Sequence, residues 1–155
     1  MADLVIRALD TRAEAEVCAR MMAGTEPWIT LRRDYEACLR VMLDETRERY
    51  VGHRGDRLAG FLILNVRGAF VGYIQTVCAA REFRGTGVGT ALVAFAEERI
   101  FRDFRNVFLC VSDFNHGARR LYERLGYRLV GELTDYVVAG RSELLLRKTV
   151  GPLTP

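Results

Sequence analysis

A glycine-rich turn between two apolar segments constrains the fold of this chain more than any other feature. Residues 84–90 read RGTGVGT, after an apolar run that ends at Ala79 and before an amphipathic run that begins near Val88. Glycines allow a backbone to approach a ligand without obstruction by Cβ atoms. The first amides of a helix have no acceptor within the helix and lie at the positive end of its dipole. The order of strand, glycine turn and helix therefore predicts a binding site for a phosphate-bearing ligand.

The spacing of these glycines excludes two common phosphate-binding motifs. A P-loop places Lys and then Ser or Thr directly after its last glycine, whereas Gly89 is followed by Thr90 and Ala91. A dinucleotide-binding fingerprint requires the spacing Gly-x-Gly-x-x-Gly, which this turn lacks. The pattern that fits is Arg-x-x-Gly-x-Gly, formed by Arg84, Gly87 and Gly89.

A second segment, residues 115–127, has the features of a capped amphipathic helix. Asn115 is a favoured N-cap residue, and Gly126 suits the left-handed conformation that ends a helix. The apolar positions of this segment share one helical face and are Ala118, Leu121, Tyr122 and Leu125. The two segments, in this order, resemble motifs A and B of the GNAT superfamily of acyl-CoA-dependent N-acetyltransferases. The resemblance extends over most of the chain.

The resemblance implies an α/β (α+β) fold, with a single GNAT domain over residues 1–150 and a flexible tail at 151–155. The central sheet is expected to be mixed and mostly antiparallel, with about six or seven strands and about four flanking helices. The motif A and motif B strands are expected to splay apart. Periodicity predicts helices over residues 11–23, 31–43, 88–101 and 115–125, and strands over 4–9, 49–53, 58–66, 70–79, 106–111, 127–133 and 143–147.

Acetyl-CoA is the cofactor that the resemblance implies. The glycine turn would hold the pyrophosphate of coenzyme A, and the pantetheine arm would pair like an extra strand with the end of the motif A strand. No metal site is predicted, because the four cysteines have no metal-ligand spacing. The expected cofactor-binding residues are Val77, Cys78, Ala79, Arg84, Gly85, Thr86, Gly87, Val88, Gly89, Thr90, Asn115, Ala118 and Arg120.

The reaction implied by the resemblance is direct attack of an amine on the thioester carbonyl. Tyr122 occupies the position of the family's tyrosine and is the predicted proton donor to the departing thiolate. A backbone amide near Cys78 or Ala79 would polarise the carbonyl. The alternative for Tyr122 is a structural role, in which its ring only fills the apolar face of the helix.

The general base is harder to assign from the sequence. Family members often carry a glutamate on the motif A or motif B strand, where this chain has Gln75 and Cys110. We expect Glu26 to be the base, with Asp135 as a less favoured carboxylate. Deprotonation at pH 7 costs roughly 4 to 5 kcal/mol for a lysine amine but about 1 kcal/mol for an α-amine, which favours an acceptor of low pKa. The expected acceptor-binding residues are Trp28, Tyr35, Gln75 and Tyr136.

Composition limits the remaining function classes. The chain has 155 residues and 50% hydrophobic content, which suits a single domain. Its net charge of +3 is smaller than is typical of a nucleic-acid-binding domain. No apolar run predicts a signal peptide or a membrane span, so a cytoplasmic enzyme is expected. The acceptor is expected to be a small-molecule or peptide amine, and a homodimer is possible.

Two alternatives stay open at this point. Gln75 and Cys110 stand where family members often have a catalytic glutamate, which is compatible with a sensor that binds acetyl-CoA without turnover. The positive charge and the pairs Arg32–Arg33 and Arg119–Arg120 are compatible with a toxin-type acetyltransferase that acts on aminoacyl-tRNA.

Overall fold

Four α-helices and a seven-stranded sheet make up residues 2–155, the part of the chain that the computed structural model describes. This arrangement confirms the predicted GNAT-type mixed sheet. In chain order the elements are β1 (Leu4–Ala8), α1 (Arg12–Ala23), α2 (Tyr35–Met42), β2 (Glu48–Arg54), β3 (Arg57–Asn65), β4 (Tyr73–Ala79), α3 (Val88–Phe101), β5 (Asn106–Ser112), α4 (His116–Arg124), β6 (Arg128–Thr134) and β7 (Ser142–Thr149).

The sheet is divided by an incomplete pairing between its two central parallel strands. The strand order is β1-β2-β3-β4-β5-β7-β6, and β4 and β5 are the parallel pair. These two strands pair only at Tyr73–Phe108 and Ile74–Leu109, so their carboxyl-terminal halves lie apart. A bulge in β4 leaves Gln75 without an opposite residue on β3, and such a bulge bends a strand away from its neighbour. The predicted splay of the motif A and motif B strands is confirmed.

Two apolar cores lie on the two faces of the sheet. Helices α3 and α4 cover the face that carries Leu62 and Leu64, whereas α1 and α2 cover the face that carries Phe61 and Ile63. This separation follows from the alternation of side chains along β3, which is buried on both faces. A ligand in the gap between β4 and β5 is therefore accessible from both layers of helices.

Local hydrogen bonding explains where the helices begin. Thr11 and Glu14 form the capping box that starts α1. The predicted start of the second helix at Leu31 is wrong, because the Asp34 side chain accepts a hydrogen bond from the Ala37 amide at 2.8 Å and caps a helix that begins at Tyr35.

Candidate active site

The glycine turn before α3 is an open cradle of backbone amides. Gly85 and Gly87 have φ angles of 72° and 85°, and a Cβ atom on either would meet nothing within 4 Å. Gly87 is the N-cap of α3 and has no side-chain capping bond, and the Ala91 amide is the first to bond back to it, at 3.0 Å. The amides of residues 88–90 therefore precede the helical hydrogen-bond ladder and face the open turn. This geometry fits a pyrophosphate group.

Arg54 of β2 holds this turn through hydrogen bonds to Thr86. Its two terminal nitrogens donate to the hydroxyl and to the carbonyl oxygen of Thr86, at 3.1 and 2.9 Å. The Thr86 hydroxyl donates to the carbonyl oxygen of Phe83 at 2.6 Å, and the Arg54 guanidinium lies 6.0 Å from the Phe83 ring centroid. Sequence reasoning missed Arg54, because nothing local links it to a turn that comes thirty residues later in the sequence.

A cavity of about 380 Å³ occupies the gap between β4 and β5 and continues to the α2 side of the sheet. It brings together most of the residues predicted from motif B and several of those predicted for the acceptor. The predicted site residues that line it are Trp28, Gln75, Val77, Asn115, Ala118, Tyr122 and Tyr136. Tyr35 packs instead against the α1–α2 core, and Arg84 and Arg120 are exposed outside the cavity.

Tyr122 and Asn115 form the α4 wall of this cavity. The Asn115 side chain accepts a hydrogen bond from the Ala118 amide at 3.3 Å and caps α4, as predicted. Tyr122 is 9% exposed and its ring meets that of Tyr127 edge to face, with the centroids 5.7 Å apart. Burial raises the pKa of Tyr122 to about 12. The phenol is therefore protonated throughout the physiological pH range.

The carboxylates expected to serve as the base lie elsewhere. Glu26 is exposed, and its two oxygens accept hydrogen bonds from the amide and hydroxyl of Thr30, at 3.1 and 2.9 Å. Asp135 accepts a hydrogen bond from the Gly140 amide at 2.7 Å. Both side chains stabilise the turns in which they lie, and neither lines the cavity. The structure does not bring Glu26 to the predicted acceptor site.

Glu143, at the start of β7, is a buried carboxylate that does line the cavity. It is 6% exposed, it lies opposite Ser112 in the β5–β7 register, and it accepts a hydrogen bond from the Ser112 hydroxyl at 2.6 Å. Burial raises the pKa of Glu143, Asp113 raises it further and the Ser112 hydroxyl opposes the rise. Sequence reasoning used Glu143 only as a strand boundary. The available signal was a charged residue directly before the apolar run 144–146.

Other polar side chains surround Glu143. Tyr73 of β4 is half-buried, and its pKa is raised by desolvation of the phenol and by the nearby Cys110, Tyr136 and Glu143. These four residues therefore lie together, and they line the part of the cavity on the face of the sheet opposite α4. The arrangement places a carboxylate and two phenols across the gap from Tyr122.

Comparison with known proteins identifies the family. A model of the acetyltransferase (GNAT) family matches residues 9–127. The chain belongs to the GNAT family. It is 32% identical over 97 residues to a blasticidin-S acetyltransferase of Streptomyces morookaense, with 63% of this chain and 70% of the relative covered. An uncharacterized N-acetyltransferase of Methanocaldococcus jannaschii is 32% identical over 101 residues, and the match spans 64% of each protein.

Solved structures agree in fold along nearly the whole chain. A protein of the GNAT family from Desulfovibrio desulfuricans superposes with a TM-score of 0.80 at 18% identity, covering 96% of this chain and 100% of the other. An aminoglycoside 6′-N-acetyltransferase in complex with coenzyme A superposes with a TM-score of 0.76 at 18% identity, covering 97% and 99%.

As a GNAT protein, the chain is an acetyl-CoA-dependent N-acetyltransferase. The open glycine turn and the gap between β4 and β5 fit coenzyme A, because the turn offers unpaired amides and the gap offers an unpaired strand edge. Within residues 2–155, no helix is long and apolar enough to cross a membrane. The same residues contain no group of three His, Cys, Asp or Glu side chains placed to hold a metal ion.

Proposed function

We propose that this GNAT enzyme acetylates a primary amine by direct attack while both substrates occupy one cavity. The observation that carries the proposal is that a single cavity joins the gap beside Tyr122 to the buried carboxylate of Glu143. The acyl donor enters from the side of α3 and α4, and the amine enters from the side of α2. The two substrates thus meet where β4 and β5 part.

Glu143 is the base in this proposal. An amine arrives mostly as its ammonium form, and the Glu143 carboxylate accepts a proton from it, either directly or through one water molecule. The free amine then forms the new C–N bond as the C–S bond breaks, and the second amine proton leaves with the thiol product. Burial raises the pKa of Glu143 toward that of an amine, which makes the proton transfer less unfavourable than transfer to an exposed carboxylate.

Tyr122 stabilises the leaving group in this proposal. A pKa of about 12 lies roughly 3.5 units above that of a simple thiol, so complete proton transfer to the thiolate would cost about 5 kcal/mol. A hydrogen bond from the phenol to the developing thiolate carries no such cost. We therefore assign Tyr122 to hydrogen-bond donation, with the proton of the thiol supplied by the attacking amine.

The names of similar proteins leave the acceptor open between small molecules and peptides. One relative is named for blasticidin S, and structural neighbours include aminoglycoside acetyltransferases and Arabidopsis thaliana NAA60 in complex with a bisubstrate analogue. A primary amine of either kind is compatible with the cavity.

Release of thiol from acetyl-CoA tests the proposal, with a panel of amines between about pH 6.5 and 9.5 to span the α-amine pKa. Tyr122→Phe and Glu143→Gln are expected to lower kcat by about 10²-fold or more with the preferred amine. Glu26→Gln is the matched control and is expected to leave kcat/KM and its pH profile unchanged. Tight acetyl-CoA binding without thiol release for any amine would support the sensor alternative and refute the proposal. A pH profile altered by Glu26→Gln and not by Glu143→Gln would return the base to Glu26.

A further inference from the structure

We propose that the acceptor is an α-amino acid or a close analogue, an amine that carries a carboxylate a short distance from its nitrogen. This inference rests on the proposed function and names the substrate class for the same cavity. The charged residues that line the cavity are Arg33, Arg47 and Glu143. An acceptor therefore meets one negative side chain and two positive ones.

Arg47 is held in a position where it can bind an anion. Its Nε donates to Gln75 Oε1 at 2.9 Å, and one terminal nitrogen donates to the Thr46 hydroxyl at 3.0 Å. Its nearest carboxylate is Asp44, whose oxygen is 3.9 Å away. Among residues 2–155, the second terminal nitrogen of Arg47 has no hydrogen-bond acceptor. The hydrogen bond to Gln75, which lies at the β4 bulge, orients the guanidinium. The Arg47 side chain is 28% exposed, so the guanidinium is still accessible from the cavity.

Arg33 supplies a second positive charge at the α2 side of the cavity. It precedes α2, and within the described residues 2–155 it forms no ion pair with a carboxylate. Its charge opposes the rise that burial causes in the pKa of Cys38, which indicates that the guanidinium lies near the Cys38 thiol. Cys38 also lines the cavity. Two arginines without strong carboxylate partners thus line one cavity.

These charges distinguish between classes of amine. A diamine would place one ammonium near Glu143 and would bring its second positive charge toward Arg33 and Arg47, which is unfavourable. An α-amino acid places its ammonium near Glu143 and its carboxylate near the guanidinium groups, which bind carboxylates through paired hydrogen bonds. An amine without an anionic group offers no carboxylate to the guanidinium groups of Arg33 and Arg47.

The test compares kcat/KM for the common α-amino acids, their amides and aliphatic diamines in the thiol-release assay. The amide is an informative control, because its amine has the lower pKa and is intrinsically easier to deprotonate. We expect the best amino acid to exceed its own amide and every diamine by at least about tenfold. Arg47→Gln and Arg33→Gln are expected to raise KM for the amino acid and to leave kcat/KM for the amide within about twofold.

Arg32→Gln is the matched control for Arg33→Gln, since Arg32 is adjacent, exposed and outside the cavity. Thermal unfolding and coenzyme A affinity of each variant show whether it folds and binds the donor. Equal or better turnover of amides or diamines, unaffected by Arg47→Gln, would overturn this inference and leave the proposed function intact. An absence of thiol release with every amine would instead refute the proposed function.

Discussion

Replacement of Gly87 by alanine separates the fold of the glycine turn from its ligand-binding role. Gly87 has a φ angle of 85°, and a Cβ atom there would meet no protein atom within 4 Å. The cost to folding is therefore backbone strain alone, about 1–2 kcal/mol for a residue other than glycine in this conformation. For a domain of this size, that strain lowers Tm by about 2–8 °C.

Gly68 provides a matched control in the β3–β4 connection, at the end of β4 away from the glycine turn. Its φ angle is 97°, and a Cβ atom there also meets nothing within 4 Å. Gly68→Ala is thus expected to lower Tm by a similar amount. The two variants should differ in ligand binding, because only the Gly87 methyl group would project into the proposed pyrophosphate site.

Calorimetric titration with coenzyme A measures that difference. Loss of one hydrogen bond to a charged phosphate costs about 1.5–3 kcal/mol, so Gly87→Ala should weaken binding roughly ten- to hundredfold. Gly68→Ala should bind as the wild type does. Unchanged coenzyme A affinity in a folded Gly87→Ala variant would refute the assignment of this turn to the pyrophosphate.

Three further predictions concern stability and thiol reactivity. The Arg7 hydrogen bond lowers the pKa of Glu14 from 4.5 to about 2, so the carboxylate stabilises the fold above pH 4.5 and loses this effect as the pH falls toward 2. Glu14→Gln should therefore cost about 1 kcal/mol at neutral pH and almost nothing near pH 2, and a pH-independent difference in urea unfolding would contradict this. Gly60→Ala would place a Cβ atom 2.6 Å from the Cys78 carbonyl oxygen and should cost about 1–3 kcal/mol, which an unchanged Tm would refute. Burial raises the pKa of the Cys18 and Cys78 thiols to about 12, so both should react with a thiol reagent at neutral pH only after unfolding, and rapid labelling of the native protein would count against their burial.

Features that depend on neighbouring residues were predictable from the sequence. The helix that starts near residue 11, the Asn115 cap and the open backbone of the glycine turn are each fixed by a few adjacent residues. Two such local features in the family's order were enough to predict the sheet, its splay and the acyl donor. The same local reasoning failed at Leu31, because the cap at Asp34 determines the start of α2.

The charged residues of the acceptor side were not predictable, because their position in the cavity depends on strand register. Glu143 reaches the cavity through its pairing opposite Ser112, and Arg47 reaches it through a hydrogen bond to Gln75, a residue that a bulge leaves without a partner on β3. Glu26 was favoured because it is close to Trp28 in sequence, but its carboxylate bonds instead to Thr30. No spacing rule along the chain encodes a bulge or a cross-strand neighbour.

The separation of β4 from β5 after two paired residues has a consequence for how the substrate preference of such an enzyme can evolve. In the proposed arrangement, the donor side is built from β4, the glycine turn and α4, whereas much of the acceptor side lies in the segment before α2 and in the loop between β6 and β7. Gln75 and Glu143 lie on the sheet itself, whereas these two acceptor loops lie outside the groups proposed to hold the donor. Mutations in either acceptor loop can alter which amine is accepted without disturbing the groups that hold the donor, so new substrate preferences can arise in a few steps from an unchanged scaffold.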